Sequence, residues 1–263
     1  MNSSVYSPII DSMTWSYSRL KLFETCRYAW YLKYLYGINE PTNFYASYGS
    51  FIHNLIERYY RDEISHKDLP LKFLVGFSNF VKGKRPNEEI VDKYLQAGYE
   101  YFADFKPMPF DMVSVEQKIT FDVGGYPFVG YVDFIGMRDG ALAVVDHKSR
   151  NLSKRSTRRK PTLKDKELDE FLRQLYLYSI GVNDVYGQFP TTLCFNCFKS
   201  KTFIEEPFKE DAYNEAIEWA KDSIETIKHT DDFYPTLDWF YCTNLCGMKH
   251  ECCYYALEMG GRR

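Results

Sequence analysis

Residues 128–150, FVGYVDFIGMRDGALAVVDHKSR, have the pattern of two strands about a tight turn. Even so, Asp133 stands between Val132 and Phe134, and Asp146 and Lys148 end the run Ala-Leu-Ala-Val-Val. Charge in such apolar surroundings is costly unless something pairs with it. Residues two apart on a strand share a face, so Asp146 and Lys148 project together while His147 points away. Asp133 belongs to the neighbouring strand, near the opposite end of its hairpin, and reaches the same spot if the sheet twists and diverges there. Two carboxylates and an amine then converge. A hard cation takes oxygen ligands, and a lysine beside it can hold or activate a water. This is equipment for phosphodiester hydrolysis.

The next stretch supplies charge of the opposite kind. From Lys148 to Lys166 nine Lys or Arg, among them Arg150, Arg155, Arg158 and Arg159, face one acid, Asp165. With a formal net charge of −3 for the whole chain, the remainder is strongly acidic and the basic run is local. A solvated loop is the usual reading of such a run. Its position directly after the charged strand points instead to a polyanion held beside the cation, the segment ordering when that polyanion binds.

Seven cysteines (Cys26, Cys194, Cys197, Cys242, Cys246, Cys252 and Cys253) accompany an N-terminus, MNSSVYSPII, that lacks a secretory pattern. A disulfide framework is therefore not expected, and the thiols are either buried or ligate metal. Cys194 and Cys197 sit in a strand-like run, where residues three apart face opposite ways, and read as core thiols. Four thiolates elsewhere could hold a [4Fe–4S] cluster or zinc, which spacing alone does not separate.

These groups need a frame. The chain has 263 residues, 45% of them hydrophobic and 18% aromatic, enough for a substantial core. No apolar run is long enough to span a membrane, and a soluble cytoplasmic protein is expected. Residues 16–38 carry Leu20, Phe23 and Trp30 at helical spacing, with Gly37 as the stop. A second helix from about residue 45 to 64 has the stripe Tyr48, Ile52, Leu55 and Tyr59. Two more, broken at GKRP, complete a helical lobe over about 45–106. VSVEQKITF then alternates with period two, and the two strands of the opening stretch follow it, giving a three-stranded antiparallel meander. A helix through KELDEFLRQLYLYSIG, a strand TTLCFNCF and an amphipathic helix over about 211–228 follow. The sheet core thus covers about 110–230, ahead of a short aromatic, cysteine-rich end.

In this order the motifs resemble the PD-(D/E)xK nuclease superfamily, and within it the RecB-like branch of DNA exonucleases, which includes CRISPR-associated members with an iron-sulfur cluster. GSFIHNLIE is similar to the branch's histidine helix, GYVDFIG and VVDHKS to its metal motifs, QLYLY to its Gln-x-x-x-Tyr helix, and Cys26 with CTNLCGMKHECC to its cysteines. The resemblance covers almost the whole chain. It implies an α/β restriction-endonuclease-like core, a central mixed sheet flanked by helices, with an inserted helical lobe and a Cys-rich C-terminal clasp, all in one domain over 1–263.

Residue by residue, the resemblance implies that His53, Asp133 and Asp146, with the carbonyl of His147, ligate Mg²⁺ or Mn²⁺, and that Lys148 positions the attacking water. Without the motifs around it, His53 would read as a helix-surface histidine. The resemblance also implies that Cys26, Cys242, Cys246 and Cys252 hold a [4Fe–4S] cluster over residues 240–255, although the first gap of the closing motif is one residue longer than the family pattern. Gln174 and Tyr178 share a helical face where they could touch DNA or the water, the plainer alternative being that Tyr178 packs beside Leu175 and Tyr176. Glu116 reads as an exposed glutamate or a support for the site. Tyr45, Tyr48 and Trp15 could stack on frayed bases.

The expected function is a metal-dependent DNA exonuclease acting on single strands or ends, with a helicase or recombination protein as partner. Competing readings are a non-catalytic DNA-end-binding subunit of a helicase-nuclease complex, which has no need of Asp133, Asp146 and Lys148, and a zinc-clasped protein acting on RNA.

Overall fold

The computed structural model describes residues 5–259. Its centre is a five-stranded sheet in the order β1-β2-β3-β4-β5 (Asp111–Val123, Tyr126–Arg138, Ala141–Lys148, Thr192–Cys197 and Thr202–Pro207). β3 is buried from Leu142 to His147, as an interior strand covered on both faces must be, which is why it reads as a continuous apolar run rather than an alternation. Each fully buried Val or Leu here is worth about 1.5–3 kcal/mol. β2 pairs with β3 antiparallel, β3 with β4 parallel, and β4 with β5 antiparallel, so the sheet is mixed. Helices flank it.

A parallel pair needs a long crossover. Helix α7 (Leu163–Tyr186) supplies it, numbered after α1 (Ser7–Asp11), α2 (Tyr17–Thr25), α3 (Arg27–Tyr34), α4 (Phe44–Tyr60), α5 (Leu69–Phe80) and α6 (Glu88–Ala103) and before α8 (Glu210–Lys228). α7 begins with a reciprocal cap between Thr162 and Asp165 and ends at Gly187 in the left-handed region, as capped helices of this length do.

The chain divides into two compact units. One contains Asn43–Phe121 and Gly130–Ala216. In it α4, α5 and α6 pack through Tyr48, Ile52, Leu55, Phe73, Phe77 and Phe102, joined by Phe198 just beyond β4. The other contains the described residues of Met1–Thr42, Asp122–Val129 and Ile217–Arg263, and has its own cluster of Cys26, Ala29, Leu32 and Met248. Among the described residues no helix is long and apolar enough to cross a membrane.

Two expectations are corrected. Residues 16–38 form two helices rather than one: Cys26 is extended (φ −160°, ψ 108°), and its sulfur accepts from the amide of Ala29 at the start of α3. Helical spacing of buried residues continues on both sides of the break, Leu20 and Phe23 in α2 and Ala29, Trp30 and Leu32 in α3, so periodicity gives no sign of it. β5 was not foreseen either. Its run TFIEEP is short and acidic, which suits an edge strand that must resist further pairing.

Candidate metal and phosphate site

The hairpin turn decides where the acids meet. Asp139 and Gly140 both take positive φ (53° and 79°), the two-residue turn that Asp-Gly favours, and it fixes the register from Arg138↔Ala141 to Phe134↔Val145. One step further along that register Asp133 stands beside Asp146, the two being equally far from the turn. The amide of His147 donates to Asp133 Oδ2 at 2.6 Å. The expectation that Asp133 lay near the opposite end of the hairpin is therefore corrected. Backbone pairing stops at Phe134↔Val145, so the two strands part just beyond it, as the divergence expected there requires, and the His147 amide turns to the Asp133 carboxylate.

α4 brings the imidazole. His53 Nε2 lies 2.9 Å from the carbonyl oxygen of His147. Since a carbonyl only accepts, Nε2 carries the hydrogen and Nδ1 is left to face Glu116 Oε1 and Asp133 Oδ2, each 3.6 Å away. This backbone anchoring of one ring nitrogen is how metal-binding histidines are usually oriented. His53, Glu116 and Asp133 each offer a ligand atom, all within 4.8 Å of one another. The expected carbonyl of His147 is engaged by His53, and Glu116 joins the group.

Glu116 was undervalued. Its polar-face position gave a faint signal; what moves it is a backbone φ of 47°. Burial alternates regularly from Lys118 to Val123 but lapses at the residues before, where the left-handed turn re-aims the strand, as bulges near sites do.

Asp146 is 6% exposed, and its Oδ2 is buried without a hydrogen-bond donor. Lys148 Nζ lies 2.7 Å from that oxygen, close enough to pair in charge but off the direction a hydrogen bond requires. The ammonium instead donates to Gln174 Oε1 at 3.0 Å, and Gln174 Nε2 donates to the Tyr178 hydroxyl at 3.1 Å. Tyr178 needs Gly130 opposite it, because a Cβ there would lie 2.4 Å from the ring. Lys148 also stands 5.4 Å from the centre of the Phe171 ring, so its stem is held as well as its charge.

The electrostatics are those of a site with surplus negative charge. Burial opposes the charge on His53, but Asp133, Glu116 and Asp146 outweigh it and push the imidazole up to about 9. Burial raises the Asp133 carboxyl to about 7, helped by Asp146 and Glu116 and opposed by His53 and the His147 amide. His147 is the reverse case: burial, then His53 and Lys148, hold its imidazole well below the ordinary value. Its Nδ1 faces the Asn196 amide at 3.1 Å. An imidazole nitrogen, two carboxylates and a buried orphan carboxylate oxygen form a donor set suited to a divalent cation such as Mg²⁺ or Mn²⁺.

The basic segment is tied to its surroundings. Arg155 donates to Glu206 at 2.7 Å and Asp169 at 2.6 Å, and Arg150 to Glu167 at 2.5 Å. Asp165 accepts from the amides and hydroxyls of both Ser156 and Thr162. The expectation of a segment that orders only on a polyanion is therefore corrected. Arg158, Arg159 and Lys160 remain exposed. Trp15 and Tyr48, proposed above as stacking surfaces, are 2% and 0% exposed and belong to the packing; Tyr45 is half-buried.

In the other unit the cysteines gather. Burial pushes the Cys246 thiol up to about 11, with Cys26, Cys242 and Cys252 adding to the shift, and Cys242 and Cys252 each register Cys26 in turn. The Cys252 sulfur accepts from the Tyr255 amide at 3.4 Å. Cys253 is exposed and pairs with the Tyr28 hydroxyl. Cys194 and Cys197 are fully buried in β4, as their strand setting predicts.

The sequence model of the PD-(D/E)XK nuclease superfamily matches residues 14–253. No curated protein matches the chain. Among solved structures, a "Putative exonuclease" from Eubacterium rectale is 14% identical, with 99% of each chain covered and a TM-score of 0.52, a likeness of fold. SSO0001 is 18% identical over 90% of this chain and 92% of its own, with a TM-score of 0.32, too low to bear on the fold.

Proposed function

The chain belongs to the PD-(D/E)XK nuclease superfamily, and from that premise we propose a metal-dependent DNA exonuclease of the RecB-like branch, acting on single strands or ends in DNA recombination, repair or processing. The observation that carries this reading is the meeting of His53 Nδ1, Glu116 and Asp133 beside Asp146 and Lys148. On this reading residues 1–263 form one nuclease domain, of which 1–4 and 260–263 lie outside the described residues.

His53, Glu116, Asp133 and Asp146 hold Mg²⁺ or Mn²⁺. The ion supplies Lewis-acid stabilisation of charge on the phosphate and lowers the pKa of water. Lys148, steered by Gln174, holds the attacking water by hydrogen bonding and offsets charge growing on the phosphate oxygens, the electrostatic contribution that is usually largest. Tyr178 keeps Gln174 from rotating. Phe171 and Phe195 flank the ammonium and shield it from bulk water, strengthening its field at the phosphate.

Arg150, Arg158 and Arg159 hold the strand through its phosphates, the source of most sequence-independent affinity. Arg155 acts from behind, keeping the segment in place. Cys26, Cys242, Cys246 and Cys252 hold a [4Fe–4S] cluster that clasps the start of α3 to the C-terminal segment. The protein works in the cytoplasm beside a helicase or recombination protein that exposes the strand.

The test is cleavage of end-labelled single- and double-stranded DNA, and of RNA, by purified protein with Mg²⁺ or Mn²⁺. Asp146→Asn and Lys148→Ala should cut at least 100-fold more slowly while unfolding at an unchanged temperature. Wild-type rates in both variants would remove the site.

A further inference from the structure

A cavity lies on the side of β4 that Asn196 faces, in the unit that contains the metal site. It encloses about 310 Å³, and none of its lining residues is among those assigned to the metal site. Its walls include Met108 and Phe203, Lys106 and Lys201 stand at it with the single acid Asp104, and Tyr101 and Asn196 provide polar groups.

Asn196 is 5% exposed. Its amide nitrogen is spent twice, on the Tyr101 hydroxyl at 2.7 Å and on His147 Nδ1 at 3.1 Å. Its carbonyl oxygen receives no hydrogen bond among the described residues, yet it is not among the solvent-shielded atoms, so it opens toward the cavity. The Tyr101 hydroxyl accepts from Asn196 and keeps its own hydrogen to give. Burial pushes that phenol above its ordinary pKa, so it is a donor throughout the physiological range. An unfilled acceptor and a donor therefore stand side by side at a nearly buried position. Such an arrangement is costly unless a ligand or water completes it.

We infer that this cavity binds a mononucleotide, with the base between Met108 and Phe203, its edge on the Asn196 carbonyl and Tyr101 hydroxyl, and its phosphate on Lys106 and Lys201. Each part of the cavity matches one part of that ligand. A paired donor and acceptor complements a base edge, apolar walls suit a planar ring, and two ammonium groups exceed the single acid where the phosphate would stand. The volume is at the small end for ligand sites and fits one nucleotide rather than a strand. Asn196 also ties the cavity to the metal site, since the residue it anchors, His147, engages His53 and Asp133 through its own backbone. Occupancy is thus felt at the imidazole of His147.

The experiment is calorimetric titration of the full chain, without added divalent metal, with dAMP, deoxyadenosine and inorganic phosphate. The expected result is one dAMP per chain, bound at least tenfold more tightly than either fragment. Binding should weaken at least tenfold in the rim variant Lys106→Glu/Lys201→Glu. In a histidine-labelled sample, dAMP should shift the His147 ring resonances. No saturable binding, phosphate binding as tightly as dAMP, or an unaffected rim variant would overturn the site. No cleavage is measured, so this inference and the nuclease reading can fail separately.

Discussion

The imidazole of His53 gives its Nε2 hydrogen to the carbonyl of His147 across 2.9 Å, which joins α4 to the end of β3 and leaves Nδ1 facing Glu116 and Asp133. Ring and carboxylates thus face one another within one small group. Glu116→Gln keeps the shape and removes one anionic ligand. It should raise the Mn²⁺ concentration for half-maximal cleavage by about 10–100-fold, the range seen when support for a metal site is lost, with the fold unchanged. A metal titration of the cleavage rate decides it, and an unaltered requirement excludes Glu116 from the ligand set.

Gly130→Ala puts a methyl 2.4 Å from the Tyr178 ring. Overpacking of this kind costs about 1–3 kcal/mol, or a melting temperature lower by several degrees, and displaces the partner of Gln174. Tyr178→Phe keeps the ring and removes only the hydroxyl. It should melt near the wild-type temperature and cleave more slowly, because Gln174 is free to turn from Lys148. If both variants cleave at the wild-type rate, Tyr178 only packs.

Arginines in one basic segment should behave in two ways. Arg155 lies between Glu206 and Asp169, so Arg155→Ala should lower thermal stability and leave Glu206, a nearly buried acid, with one partner fewer. Arg158 and Arg159 are exposed, and their joint replacement by Ala should leave melting unaltered while reducing the slope of log affinity against log salt by about 1–2. DNA binding by fluorescence anisotropy at several salt concentrations, beside a thermal melt, separates the two roles.

Asp165 carries the pH dependence of this segment. Hydrogen bonds from Ser156 and Thr162 hold its carboxyl well below the usual range. A depressed acid binds fewer protons folded than unfolded, so its contribution is complete above the ordinary value of about 3.9 and fades as pH falls through the lower folded value. Amide exchange at Ser156, whose N–H donates to Asp165 at 2.7 Å, should lose protection progressively as pH falls from about 4 toward the lower folded value. In Asp165→Asn it should already lack that protection at neutral pH. Equal protection in both proteins at neutral pH would detach Asp165 from the segment.

The two adjacent cysteines divide by direction. Cys252→Ser should lower iron content and visible absorbance in anaerobically purified protein and loosen the C-terminal segment, whereas Cys253→Ser should retain both. Iron and zinc counts on the two variants check this, and four-sulfur zinc binding in the wild type would replace iron as the occupant.

Much of the frame was legible in the chain. The turn at Asp139-Gly140, the apolar run of β3 and the stripe of α4 are local signals, each set by the period of its own backbone. They sufficed to predict four of the five strands, two helices within 66–106 broken at GKRP, and the convergence of Asp133, Asp146 and Lys148. The break at Cys26 was not legible, because helical periodicity carries across a single extended residue. Glu116 was only faintly so, since its aim depends on one left-handed φ rather than on its neighbours' types.

Sequence by itself placed the candidate residues Asp133, Asp146 and Lys148 on two adjacent strands and His53 on a helix, because side-chain direction along a strand or helix follows from the backbone period. Only the tertiary structure decided which nitrogen of His53 faces the carboxylates, that Glu116 completes the group, that Arg155 is held by Glu206 and Asp169, and that Asn196 lines a cavity. Those outcomes depend on distances between segments far apart in the chain, and the packing of the whole unit sets such distances where no local pattern can.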